Sequence, residues 1–140
     1  MTYKFDQPVK GTTGTENYRC SITWRNGNFI SDEPVTTGGK DSGPDPFSLL
    51  LSSVISCKLI TMRMYADHKG WDIPEMSVDA NLFQEKNEIK VVTTIDCTFT
   101  FPGTTDEGQK ARLMEIAKHC PVSRLLENEV IVRTFKQEPV

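Results

Sequence analysis

The sequence predicts an α+β fold, and three observations carry that prediction. A run from Pro46 to Lys69 contains no internal proline or glycine and reads as one long helix. Strand-patterned runs rich in β-branched and aromatic residues lie on both sides of it. Neighbouring strands are joined mostly by short turn signals, so a repeated strand–helix–strand arrangement is excluded.

Residues 1–17 are polar and hold Gly11 and Gly14; they fray or add an outer strand. Tyr18 to Trp24 alternates with period two, and Asn26-Gly27 follows. That dipeptide suits a type I′ turn, making Phe29 to Asp32 the return strand of a hairpin, with Trp24 and Phe29 as apolar anchors. Glu33 to Asp45 holds prolines and glycines without periodicity and reads as a loop. Thr37-Gly38-Gly39-Lys40 lacks the spacing of a phosphate-binding loop.

The helix from Pro46 to Lys69 would be about 36 Å long. Its middle is apolar nearly all round, as in a buried central helix. Met76 to Phe83 and Ile89 to Phe101 form a pair of strands. In the second, Ile89, Val91, Thr93, Ile95, Cys97, Phe99 and Phe101 share the more apolar face. Thr105 or Asp106 caps a second helix reaching about Lys118-His119. Pro121 opens a short third helix, and Glu129 to Phe135 closes the chain as a final strand.

The length, 140 residues, is that of one domain spanning 1–140. A net charge of −3 argues against a nucleic-acid surface. There is no signal-like N-terminal run and no uninterrupted apolar stretch long enough to span a bilayer, so the expected location is the cytoplasm, away from membranes. The two histidines and four cysteines include no CxxC pair, so no metal site is expected and no cofactor is implied.

Chemistry therefore rests on the thiols. Cys20 and Cys97 sit in strand alternation and read as core residues. Cys120, just before the helix-opening Pro121, occupies an N-cap position where free N–H groups favour a thiolate. A buried cap without chemistry fits the same pattern. Cys57 lies among Ser53, Val54, Ile60 and Thr61 on the long helix. Apolar burial raises a thiol pKa, so Cys57 is either an inert core thiol or one served by a cation; Arg25, Arg19, Arg63 and Arg124 are the arginine candidates.

Gly43-Pro44-Asp45-Pro46, the Leu-rich helix with Ser56-Cys57, Thr61 to Ala66, Lys69-Gly70-Trp71 and Cys120-Pro121-Val122-Ser123 together resemble the OsmC/Ohr family of organic hydroperoxide reductases. The resemblance runs in order over nearly the whole chain. It implies an OsmC-like fold assembled as an intertwined homodimer, with the central helices buried and two active sites at the interface. By the family pattern Cys57 is the peroxidatic thiol and Cys120 the resolving one. Arg25 matches the arginine beside the thiolate, an organic hydroperoxide is the substrate, and an external dithiol is the reductant. The sequence departs from the pattern where family members carry a glutamate at the start of the central helix. Phe47 and Ser48 stand there instead, leaving Asp45 or Glu127 as substitutes. Alongside a peroxidase, the resemblance leaves open a non-catalytic or sensing protein that binds a small apolar or electrophilic ligand.

Overall fold

The computed structural model describes residues 1–138. Two compact units form, Met1–Leu50 and the residues from Leu51 onward. In the first, β1 (Lys10–Thr13), β2 (Cys20–Trp24) and β3 (Gly27–Ser31) build an antiparallel sheet in the order β1-β2-β3. The polar N-terminal region thus supplies the outer strand, pairing Thr13 with Cys20 and Lys10 with Thr23.

The hairpin turn closes one residue earlier than the Asn-Gly signal suggests. Trp24 pairs directly with Gly27, leaving Arg25-Asn26 as the turn. Neither Arg25, Asn26 nor Gly27 has positive φ, so the turn is not type I′. Gly27 instead lies in the strand beneath the Trp24 indole, where an added Cβ would come within 3.3 Å of the ring nitrogen. Trp24 and Phe29 remain exposed.

The loop after β3 is organised by Asp32, whose carboxylate is buried without a cation. It accepts from the N–H groups of Tyr18, Glu33, Lys40 and Ser42 and from the Ser42 hydroxyl, the last at 2.6 Å. Gly39 and Gly43 let this loop close, because a Cβ there would collide with the carbonyls of Glu33 and Ile30. The Ser42 hydroxyl foremost outweighs burial; with the N–H groups of Glu33, Ser42 and Tyr18, it holds Asp32 well below the usual carboxylate range. A depressed folded pKa stabilises at all pH above the ordinary carboxylate value and is lost as acid protonates the group. Asp32→Asn should therefore lower the melting temperature at pH 7 and remove part of the loss of stability that native protein shows below about pH 4. Thermal melts across that range check this; identical acid profiles would refute it.

The long helix α1 spans Pro46–Lys69, the bounds expected from sequence. Asp45 caps it, accepting from the N–H groups of Phe47 and Ser48 and from the Ser48 hydroxyl. Its far end closes through Gly70 at φ 70, with Gly70 N–H bonded to Asp67 and Trp71 N–H to Ala66. That pairing is a Schellman stop. Over an 18-residue window α1 averages a hydropathy of 1.4, so by length and composition alone it is apolar enough to cross a membrane. Lys58 and Arg63 interrupt the apolar run. Within the chain α1 buries Val54, Met62 and Ala66, while Ile60 and Met64 stay exposed.

In the second unit, β4 (Ser77–Lys86) and β5 (Val91–Thr100) form an antiparallel hairpin. Its turn is fixed by the Asn87 side chain, which accepts from the N–H groups of Ile89 and Lys90. The expected apolar face is covered only in its second half: Ile95, Cys97, Phe99 and Phe101 are half-buried, as is Thr94 on the other face, while Ile89 and Val91 are exposed. Helix α2 (Glu107–Ala117) starts on the Asp106 cap, whose carboxylate accepts from Gln109 N–H. Met62, Ala66, Ile73, Leu113 and Ala117 form the core, with Tyr65, Trp71, Met76, Phe99 and Phe101 packed against it. Helix α3 (Pro121–Leu126) follows.

The closing strand expected over Glu129 to Phe135 is not formed. Among the described residues, that segment joins neither sheet. Strand pattern alone is insufficient, because a strand exists only through a ladder partner, and the described residues offer none. Val130, Ile131, Val132 and Phe135 are left exposed.

Candidate active site

The site is built where α1 meets the start of α3. Pro121 occupies the first turn of α3, and Cys120 is its N-cap with extended backbone, φ −69 and ψ 136. The Cys120 sulfur accepts from Ser123 N–H at 3.4 Å and lies 2.9 Å from Ser123 Oγ. It is fully buried, 0 % exposed. From α1, the Cys57 sulfur reaches the same helix end and accepts from Val122 N–H at 3.5 Å. The two thiols are close enough for each to act on the other's ionisation, and both are free. Consecutive N–H groups at the start of α3 are thus divided between two sulfurs.

This environment treats the two thiols differently. Burial foremost pushes Cys57 up from the ordinary thiol value; Val122 N–H and the Thr61 hydroxyl oppose the shift, and the neighbouring Cys120 adds to it. Burial also works against ionising Cys120. There, however, the Ser123 hydroxyl, Ser123 N–H, Cys57 and the charge of Lys58 together prevail and hold it below the ordinary value. An anion shared by the pair therefore rests preferentially on Cys120.

Sequence reasoning missed Lys58. Its Nζ donates to the Ala117 carbonyl at 2.9 Å, and its charge acts on Cys120 and Cys97. The available signal was its position one residue after Cys57 and one helical turn after Val54. A cavity of about 320 Å³ lies here, lined among others by Val54, Lys58, Cys97, Ser123 and Glu127. Cys97 is pushed up chiefly by burial, which outweighs the opposing charge of Lys58.

Arg25 belongs to the first unit, where its guanidinium stacks 5.2 Å over the Trp24 ring. Among the described residues it makes no ion pair. Arg63 pairs with Asp67 at 3.8 Å, and Arg19 lies 3.5 Å from Glu16. At the missing family glutamate, Ser48 hydrogen-bonds Asp45, which is itself occupied as the α1 cap. No group of three or more metal-ligating side chains occurs among the described residues.

The family model for OsmC-like proteins matches residues 39–135. Among solved structures, a Psychrobacter arcticus protein of the osmotic-stress-induced, detoxification-response type aligns at a TM-score of 0.72 and 22 % identity, covering 89 % of this chain and 91 % of that one. An OsmC-like protein from Mycoplasma pneumoniae aligns at 0.69 and 19 % identity, covering 88 % and 89 %. An organic hydroperoxide resistance protein OsmC from Legionella pneumophila aligns at 0.64 and 15 %, covering 89 % and 91 %. None of the curated proteins compared matches the chain. These alignments share one fold, and the family model covers well over half of the sequence, including both cysteines of the pair. The chain belongs to the OsmC-like family.

Proposed function

We propose that this protein is a cytoplasmic thiol peroxidase that reduces organic hydroperoxides with Cys57 as peroxidatic and Cys120 as resolving cysteine. The observation that carries the reading is a pair of free thiols that accept from adjacent N–H groups, Val122 and Ser123, at the start of α3. Cys57 is half-buried, whereas Cys120 is fully buried, which favours Cys57 for meeting the substrate.

The Cys57 thiolate attacks the terminal peroxide oxygen. The O–O bond breaks, Cys57 becomes a sulfenic acid, and the alkoxide leaves as an alcohol after taking a proton. Cys120 as thiolate then attacks the sulfenic sulfur, forming the disulfide and releasing hydroxide, which is protonated to water. An external dithiol attacks Cys57 Sγ and expels Cys120. The lower pKa of Cys120 makes it the better leaving thiol. Arg25 supplies the cation that offsets the burial of Cys57, and a homodimer places it there. The hydroperoxide class follows the relative from Legionella pneumophila and the apolar neighbours of Cys57. The dimer also covers α1, which accounts for the apolar side chains that this helix leaves exposed.

Treatment with one equivalent of an organic hydroperoxide, followed by intact-mass measurement and peptide mapping, tests the reading. The expected product has lost two hydrogens and carries a Cys57–Cys120 linkage, formed faster than with hydrogen peroxide. Thiols that persist for hours in folded protein would refute it. They would favour a sensing or ligand-binding protein instead, a reading supported by the absence of a carboxylate at Phe47 and Ser48.

A further inference from the structure

Lys58 follows Cys57 directly on α1. Its ammonium is held by a neutral group, the carbonyl of Ala117 at 2.9 Å, and among the described residues it forms no ion pair. Ala117 is the last residue of α2, where outward-facing carbonyls favour a cation. Only Lys118 and His119 separate that carbonyl from Cys120. The Lys58 side chain also lines the cavity of about 320 Å³ that contains Ser123, the residue whose hydroxyl lies 2.9 Å from the Cys120 sulfur.

We propose that Lys58 is a positioning residue of the thiol pair: clamped to the end of α2 beside the cavity that Ser123 lines, its ammonium favours the anionic form of Cys120. Its meaning for turnover rests on the peroxidase reading above. Its effect on Cys120 does not.

Ser123 within α3 bonds the Cys120 sulfur, Cys57 and Lys58 on α1 act on its ionisation, and Cys120 in turn acts on Cys97 of β5; Glu127, just after α3, lines the cavity. Lys58 is the cation among them. Cys97 feels the same charge, yet burial, Cys120 and Asp96 keep its proton on. Lys58 therefore discriminates between two thiols by what else surrounds them. During resolution Cys120 attacks Cys57 as an anion, and during reduction Cys120 leaves as an anion. Both steps place negative charge at the same sulfur, so one fixed cation serves both.

The test compares Lys58→Gln, Lys58→Met and Lys58→Arg. In chains with Cys20, Cys57 and Cys97 replaced by serine, ultraviolet absorbance of the thiolate follows the titration of Cys120. In chains keeping all cysteines, diamide drives formation of the Cys57–Cys120 disulfide without any peroxide chemistry. Gln and Met should move the Cys120 titration upward and slow disulfide formation near neutral pH on the order of threefold to tenfold, while Arg restores both. If all three variants follow the native profile, or if Gln restores as well as Arg, the assignment is overturned, since a hydrogen bond without charge would then suffice. If diamide forms the disulfide and hydroperoxide does not, the peroxidase reading fails while the role of Lys58 stands.

Discussion

Cys57→Ser should abolish hydroperoxide reduction, lowering the rate on the order of a thousandfold or more, whereas Cys120→Ser should leave the first chemical step and stop there. The two cysteines are not equivalent despite sharing one helix end. Cys120 is the more readily ionised, with Ser123 and Lys58 on its side, but it is closed to solvent. A peroxide must approach sulfur along its O–O axis, so a sealed sulfur has no substrate however low its pKa. Cys57 has the access and lacks the charge stabilisation, since burial raises its pKa. Its thiolate fraction at neutral pH is therefore small, and the rate of the first step should climb with pH through the neutral range. If Arg25 supplies the compensating cation, Arg25→Met should shift that climb to higher pH. Stopped-flow consumption of one equivalent of peroxide, with trapping of the sulfenic acid, measures each of these. Oxidation of Cys120 in the Cys57→Ser chain at native speed would reverse the assigned roles.

The two elements that make this site were legible because each is written locally. The opening proline, Pro46, and Gly70 delimit α1, and Cys120-Pro121 specifies an N-cap followed by a first-turn proline; both features stand as expected. Their meeting was not legible from local pattern, since nothing in a helix period says which distant helix end it faces. The family resemblance supplied that pairing in advance. Lys58 was overlooked for a related reason: a lone lysine on an apolar helix reads as a snorkelling surface residue, and its carbonyl partner is Ala117, far along the chain. The hairpin turn moved by one residue because the Trp24 indole packs over Gly27, a contact that no turn propensity includes. The strand expected at Glu129 to Phe135 has the right composition and no ladder partner among the described residues.

Ile60→Glu combined with Met64→Glu should convert a proposed homodimer into a monomer, weakening self-association on the order of a thousandfold or more. Along α1 the exposed positions include Ser53, Ser56, Ile60 and Met64, spaced three or four apart and so on one stripe of the helix. Ile60 is 52 % and Met64 68 % exposed in a helix apolar enough to cross a membrane, while the small serines would allow another helix to approach closely. The β-branched residues Val130, Ile131 and Val132 are also exposed and lack a ladder. One chain leaves both features unpaired, and a second copy would cover both, which is why dimerisation accounts for them together. A buried glutamate on the α1 stripe would be an unpaired charge costing several kcal/mol, far more than the loss of one apolar contact. Sedimentation equilibrium at micromolar concentration decides the matter. Native protein should be a dimer whose melting temperature rises with concentration, and the double variant a monomer whose melting temperature does not. A native chain that sediments as a stable monomer would remove the dimer, and with it the route by which Arg25 is supplied to Cys57.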